Sequence, residues 1–162
     1  MTEGTPRTLP EPLLHVSLTE QPIDYTALTE RVRSHRAGAV VTFLGTVREF
    51  TAGRRTLALD YEAYEPMARA ELQRILAEAT EQWPLVAAVV EHRLGRLELG
   101  EISVAVAVAA PHRRDAFQAA QYVMDQTKRR VPIWKRENWA DGGTEWVHPP
   151  EGMPQRPGDA AE

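Results

Sequence analysis

From Ile102 to Ala109 the chain reads Ile-Ser-Val-Ala-Val-Ala-Val-Ala, an apolar run with no charge in it. Such a run belongs in the interior of a sheet, so it predicts a central strand around which other elements assemble. A second strand is expected over Val86 to Arg93. Between these two, Gly95 and Gly100 bracket Leu97-Glu98-Leu99, which reads as a short strand or a bulged turn.

The remaining elements follow from periodicity and punctuation. Leu14, Val16 and Leu18 alternate with polar residues and predict a first strand. Asp24 can cap a helix running to about Arg36, with Leu28, Val32 and His35 near helical spacing and Gly38 as its stop. Ala39 to Val47 is apolar and β-branched, a core strand. Glu49 to Thr56 then reads as a mobile loop leading to a strand through Leu57, Leu59 and Tyr61, so the two strands can form a hairpin. Glu65-Pro66 opens a helix to about Trp83, with Met67, Ala70, Leu72, Ile75, Leu76 and Ala79 available for its buried stripe. A further helix over about 112 to 130 carries Ala116, Ala120, Val123, Met124 and Thr127 on one face, and Pro132 ends it. Ile133 to Trp139 and Thr144 to His148 flank Asp141-Gly142-Gly143, a hairpin signal. The order predicts an α+β fold with about three helices on a mixed, largely antiparallel sheet. Residues 13–148 form a single domain, between a loose arm over 1–12 and a loose tail over 149–162.

The charges are unevenly dealt. Only Lys128 and Lys135 are lysines; every other Lys/Arg position is arginine. Arginine keeps its proton in a protein, whereas a lysine can lose it when buried or crowded by cations. The pair therefore suggests amines chosen for proton or acyl chemistry, although arginine-rich composition alone also allows two incidental surface lysines. Residues 112–136 hold seven Lys/Arg against Asp115 and Asp125 in a chain of net charge −4. A confined positive patch on an acidic protein points to a small anionic ligand rather than a long polyanion, so no nucleic-acid partner is expected.

Cysteine is absent, which excludes disulfides, thiolate metal sites and any persulfide held on this chain. His15, His35, His92, His112 and His148 show no metal-ligand spacing, and neither a metal nor a cofactor is expected. No apolar run reaches the roughly 18 residues that span a bilayer. The opening Met-Thr-Glu-Gly lacks a signal pattern, so the cytoplasm is the default location and no membrane partner is expected.

Within the basic segment, the helix start at His112, Arg113 and Arg114 offers free backbone N–H groups and cations for a phosphate or carboxylate. Solvated arginines balanced by Asp115 are the plainer reading. Lys128 falls in the last turn of the same helix, where a cation is favourable for dipole reasons alone. Lys135 lies on a strand between Trp134 and Arg136 and faces away from both. Arg48 closes an apolar strand before a loop, a common place for a ligand contact and equally for a surface arginine. Met124 and Phe117 read as core. Trp134, Trp139 and Trp146 cluster in the last hairpin, as core or as a partner surface.

Several motifs together resemble one family. Gly38-Ala39-Val40-Val41-Thr42-Phe43-Leu44-Gly45-Thr46-Val47-Arg48 and Leu59-Asp60-Tyr61-Glu62-Ala63-Tyr64 are followed in order by Glu91-His92-Arg93-Leu94-Gly95 and Pro111-His112-Arg113-Arg114-Asp115-Ala116-Phe117. Lys128-Arg129-Arg130-Val131-Pro132-Ile133-Trp134-Lys135-Arg136-Glu137 completes the set. Over about residues 13 to 148 the chain resembles the catalytic (large) subunit of molybdopterin synthase. Ile133 departs from it, since many relatives place an aromatic there.

The resemblance implies an alpha/beta-hammerhead-like fold and a sulfurtransferase of molybdenum cofactor biosynthesis. Such an enzyme converts cyclic pyranopterin monophosphate into the molybdopterin dithiolene. The sulfur arrives as a thiocarboxylate on the C-terminal Gly-Gly of a small ubiquitin-like carrier subunit, which agrees with a chain that has no cysteine of its own. The implied assembly is a homodimer of large subunits within a heterotetramer. Carried onto this sequence, the resemblance makes Lys128 and Lys135 the catalytic residues. The substrate-binding residues are Thr46, Val47, Arg48, His112, Arg113, Lys128, Lys135, Arg136 and Glu137.

Three other readings compete. A basic binding module for nucleic acid or an acidic protein would need a more extended basic face. A lysine enzyme forming a Schiff base would need a carbonyl substrate. A scaffold that has lost catalysis is opposed by the intact lysines.

Overall fold

The computed structural model describes residues 10–147 together with Arg156 and Gly158. Most of the expected arm and tail, and His148 at the end of the last expected strand, lie outside the described residues. In chain order the elements are β1 (Leu13–Thr19), α1 (Tyr25–Val32), β2 (Ala39–Thr46), β3 (Phe50–Thr51), β4 (Arg54–Ala63) and α2 (Glu65–Gln82). They continue with β5 (Ala87–Arg93), β6 (Gly95–Glu98), β7 (Ile102–Ala110), α3 (Arg113–Arg130), β8 (Ile133–Trp139) and β9 (Thr144–Val147).

The strands divide between two sheets. The first has the order β1-β5-β7-β2, with β1 parallel to β5 and the other pairs antiparallel. In the second, antiparallel throughout, β4 pairs with β8, β8 with β9, and the short strands β3 and β6 also pair with β4. No helix among the described residues is long and apolar enough to cross a membrane.

The Val-Ala alternation of β7 explains how the first sheet is covered. Val104, Val106, Val108 and Ala110 point to the side packed by α2 and α3, in a core shared with Leu72, Ile75, Leu76 and Val123. Ala105, Ala107 and Ala109 point to the other side, where the short helix α1 brings Leu28 and Val32. Larger residues thus meet two long helices and smaller ones let α1 sit close. The expected central strand is central: β7 lies between β5 and β2.

Several expectations are corrected. Helix α1 stops at Val32, and Arg33 is already extended at ψ 137°. The Ser34 hydroxyl accepts from the Arg36 N–H, forming a local turn that competes with the helix, and His35 is exposed. β2 is an edge strand, not a core one, and leaves Val40 and Phe43 exposed. It forms no hairpin with β4, because its partner is β7 and the two strands belong to different sheets. The expected loop instead folds as a tight β3–β4 hairpin whose turn residues Ala52 and Gly53 have φ of 50° and 76°. On α2, Ala68 is buried and Met67 exposed; on α3, Phe117 is exposed. The last hairpin forms as expected, burying Trp134 and Trp139, while Trp146 stacks under the guanidinium of Arg156 at 4.1 Å.

Candidate active site

A cleft of about 620 Å³ opens where the two sheets meet beside the C-terminal end of α3. Its position follows from local chemistry. The α3 helix ends at Val131, whose N–H reaches the Thr127 carbonyl at 3.2 Å, and Pro132 turns the chain into β8. Lys128 in the last helical turn and Lys135 on the strand both line the cleft.

The basic run is sorted by this geometry. Arg130 is drawn to α2, binding Glu78 at 2.6 Å and Glu71 at 2.7 Å. Lys128 has no ion pair among the described residues and faces the cleft. Along β8 the side chains alternate, so Ile133, Lys135 and Glu137 line the cleft and Trp134, Arg136 and Asn138 do not. Arg136, expected in the site, instead holds Asp60 at 3.1 Å on the opposite face of the sheet. Burial there favours the neutral acid. Hydrogen bonds from Asn138 and Arg136 nonetheless hold the Asp60 carboxyl below its ordinary range.

Thr46 and Arg48 enter the cleft from the end of β2, where the strand register shifts between Gly45 and Thr46. Gly45 is required by close approach: a Cβ there would sit 2.7 Å from Val104 Cγ1. Val47, between them, turns inward to pack with Leu59 and Leu97. Its N–H donates to the Glu101 carbonyl at 3.0 Å and its carbonyl accepts from Gly100 at 2.8 Å, so it supports the site without lining it. Arg48 is exposed and has no ion pair among the described residues.

Behind the lysines lies a floor of which the sequence reading named only Glu137. Tyr61 and Leu59 on β4 stand directly across from Lys135 and Glu137 on β8. Glu137 is 1% exposed, and its Oε2 has no hydrogen-bond partner. The Tyr61 ring packs edge-on against His92, with centroids 5.0 Å apart. His92 Nδ1 lies 2.8 Å from the Arg93 carbonyl, which can only accept, so Nδ1 carries the proton. Burial pushes the His92 imidazole down to about 4, and it is neutral at physiological pH. The Tyr61 phenol is pushed up, chiefly by burial, with Ser103 opposing and Glu137 adding to the rise. Ser103 and Met124 also line the cleft. Beyond Glu137, its sequence signs were the alternation that put Tyr61 in phase with Leu59, and the presence of Tyr61 and His92 within family-like motifs.

His112 and Arg113 are not in this cleft. They are exposed at the opposite end of the 18-residue helix α3, and Arg113 is separated from Lys128 by roughly 22 Å along the axis. Among the described residues no group of His, Asp or Glu side chains is placed to hold a metal ion. What the cleft provides is a cationic rim of Arg48, Lys128 and Lys135 over a floor of hydrogen-bonding groups, an arrangement suited to an anion attached to a polar ring.

Comparison with known proteins shows the family and the fold. The model of the family described as MoaE protein matches residues 18–130. The molybdopterin synthase catalytic subunit of Bacillus subtilis is 46% identical over 130 residues, covering 80% of this chain and 82% of the relative. The crystal structure of molybdopterin synthase from Staphylococcus aureus superposes with a TM-score of 0.77 at 41% identity, covering 82% of this chain and 96% of that one. A complex of subunits 1 and 2 of molybdopterin-converting factor from Helicobacter pylori includes a chain with the same fold. That chain gives a TM-score of 0.64 at 19% identity, covering 86% of this chain and 92% of its own length.

Proposed function

The chain belongs to the MoaE protein family, and from this we infer that it is the catalytic subunit of a molybdopterin synthase, a sulfurtransferase of molybdenum cofactor biosynthesis. Its substrate is cyclic pyranopterin monophosphate. The sulfur donor is the C-terminal thiocarboxylate of a small carrier subunit that docks at the cleft, and the reaction takes place in the cytoplasm.

One observation carries the reading. The only lysines in the chain, Lys128 and Lys135, meet Arg48 at a single cleft, and none of the three has an ion pair among the described residues. Cations left unneutralised around a concave site are available to an incoming anion. Arg48 takes the substrate phosphate. The carrier tail enters beside Lys128, whose ammonium pairs with the thiocarboxylate as its sulfur bonds to the pterin carbon. The same ammonium then steadies the oxyanion formed when water attacks the resulting thioester and breaks the acyl–sulfur bond to free the carrier carboxylate. Lys135 orients the ring or gives a proton to the departing oxygen. Glu137, buried across from Leu59, accepts from ring N–H groups.

His112 and Arg113 remain candidate anion contacts, but one chain cannot bring them to its own Lys128, since the length of α3 separates them. In a homodimer the helix start of one copy can reach the cleft of the other, so we assign them to the partner's site. That assembly, with a carrier subunit on each copy, is the heterotetramer.

The experiment is direct. The protein is mixed with a thiocarboxylated carrier subunit and cyclic pyranopterin monophosphate, and dithiolene formation is followed. Product that depends on Lys128 supports the assignment; no product from a folded protein with active carrier rejects it.

A further inference from the structure

The side of β5 that faces α2 and α3 reads Ala88, Val90, His92, two core residues and then an imidazole. His92 stands beside Val104 of β7, where the core under the two long helices gives way to the cleft, and it lines that cleft. Packing alone does not call for a histidine, since an apolar side chain fills such a place with no polar group to desolvate. The Tyr61 ring meets the imidazole edge-on, with centroids 5.0 Å apart, and holds it in place.

The fold uses only one of the two ring nitrogens. Nδ1 lies 2.8 Å from the Arg93 carbonyl, which can only accept, so Nδ1 carries the proton. In the neutral ring this leaves Nε2, at the outer end, as a bare lone pair. Nε2 has no hydrogen-bond partner among the described residues, yet it is not sealed from solvent as the unpartnered Glu137 Oε2 is. His92 is only 7% exposed, and the surface it keeps opens to the cleft it lines. Burial keeps the imidazole neutral at physiological pH and so preserves the lone pair.

The cleft thus sets two kinds of group against each other. Its rim holds the cations Arg48, Lys128 and Lys135, and its floor holds two acceptors without donors, His92 Nε2 and Glu137 Oε2. An acceptor kept from water and left without a donor is costly. A ligand with an anion at one end and N–H groups at the other answers both. A ring with a carbonyl in place of the N–H group sets lone pair against lone pair.

We propose that His92 is a specificity-determining residue whose Nε2, its tautomer fixed by the Arg93 carbonyl, accepts a hydrogen bond from the substrate ring and so selects an amino-substituted pyrimidinone over its dioxo analogue. This rests on the assignment of a pterin substrate above and extends it to how the ring is told from its analogues.

The test titrates 6-carboxypterin and 6-carboxylumazine, an amino and an oxo ring bearing the same anion, into the wild type, His92→Asn and His92→Gln by calorimetry. Steady-state turnover of cyclic pyranopterin monophosphate is measured alongside, and melting temperatures check the folds. Asn sets its amide where Nδ1 was, so it keeps the bond to the Arg93 carbonyl and has nothing at Nε2. Gln sets an amide oxygen near the place of Nε2. Wild type binds 6-carboxypterin in preference to 6-carboxylumazine. His92→Asn loses most of that preference and raises KM by about five- to tenfold, the size of one hydrogen bond, with a smaller fall in kcat. His92→Gln keeps more of the preference than His92→Asn does. A wild type without preference, a His92→Asn variant with wild-type preference and KM, or equal losses in the two variants overturn the proposal.

Nitrogen-15 spectra of the wild type decide the point even if neither variant folds. The His92 Nε2 signal is pyridine-type in the free protein and moves upfield when 6-carboxypterin binds. An Nε2 that carries the proton, or that does not respond to the ligand, overturns the proposal. If the wild type makes no dithiolene, the sulfur-transfer reading fails, while the ring preference and the Nε2 signal still decide the role of His92.

Discussion

The Arg130 guanidinium holds both carboxylate oxygens of Glu78, at 2.6 and 2.9 Å, clamping the end of α3 to the C-terminal part of α2. This clamp lies two residues beyond Lys128 and fixes the helix end that presents the amine. The Arg130 hydrogen bond, set against burial, keeps the Glu78 carboxyl below its ordinary range. Its contribution is therefore present above the unfolded carboxylate pKa and lost as pH falls through the lower folded one. Because both groups are partly exposed, Arg130→Ala is expected to cost about 1 kcal/mol in urea unfolding at neutral pH. It should lower turnover more than that loss implies.

His92 gives the fold a second pH dependence. Its ordinary value of 6.5 falls to about 4 in the folded chain. Between those values the unfolded chain binds a proton that the folded one refuses, so stability rises with pH across the window. The full effect is about 3 kcal/mol. His15 shifts in the same direction and Glu91 in the opposite one, so the difference between wild type and His92→Gln isolates the residue. Chemical unfolding at pH 4 to 7 should show a flatter profile in the variant.

Lys128→Ala should reduce single-turnover dithiolene formation by at least about 100-fold, a usual size for losing a positioned proton donor or charge stabiliser. Carrier binding, read by calorimetry, should survive. Lys128→Arg should restore little, because a guanidinium keeps its proton and presents it in a different geometry.

The β3–β4 turn places Ala52 at φ 50°, a left-handed conformation in which a Cβ is strained. Ala52→Gly removes that strain at the expense of some unfolded-state entropy. A gain of about 0.5 kcal/mol, or a rise of roughly 2 °C in Tm, is expected by calorimetry.

Much of this architecture is legible in the residues themselves. The Val-Ala run located β7 as an inner strand, and the apolar stripe from Ala116 to Thr127 located the buried face of α3. Lys128 and Lys135 stood out because they are the only lysines in the chain. Strand pairing beyond the last hairpin was not legible, because an apolar β-branched segment such as β2 looks alike at an edge or in the interior and gives no sign of its partner. Alternation gave the facing of Lys135 relative to Trp134 and Arg136, and Lys135 lines the cleft where neither of them does. The site was misread where adjacency stood in for space: Arg136 follows Lys135 in the chain but projects from the other face of the sheet. Tyr61, His92 and Ser103 carry no charge that composition could flag, and they meet only because β4, β5 and β7 converge across the two sheets.

The separation of Arg113 from Lys128 by the length of α3 has a genetic consequence. If each cleft draws its helix-start residues from the other copy, a Lys128→Ala chain and an Arg113→Ala chain complement one another. A mixed dimer confines both lesions to one cleft and leaves the second whole. Refolding two inactive proteins together in equal amounts should then recover about a quarter of the wild-type rate, whereas self-sufficient copies would recover none.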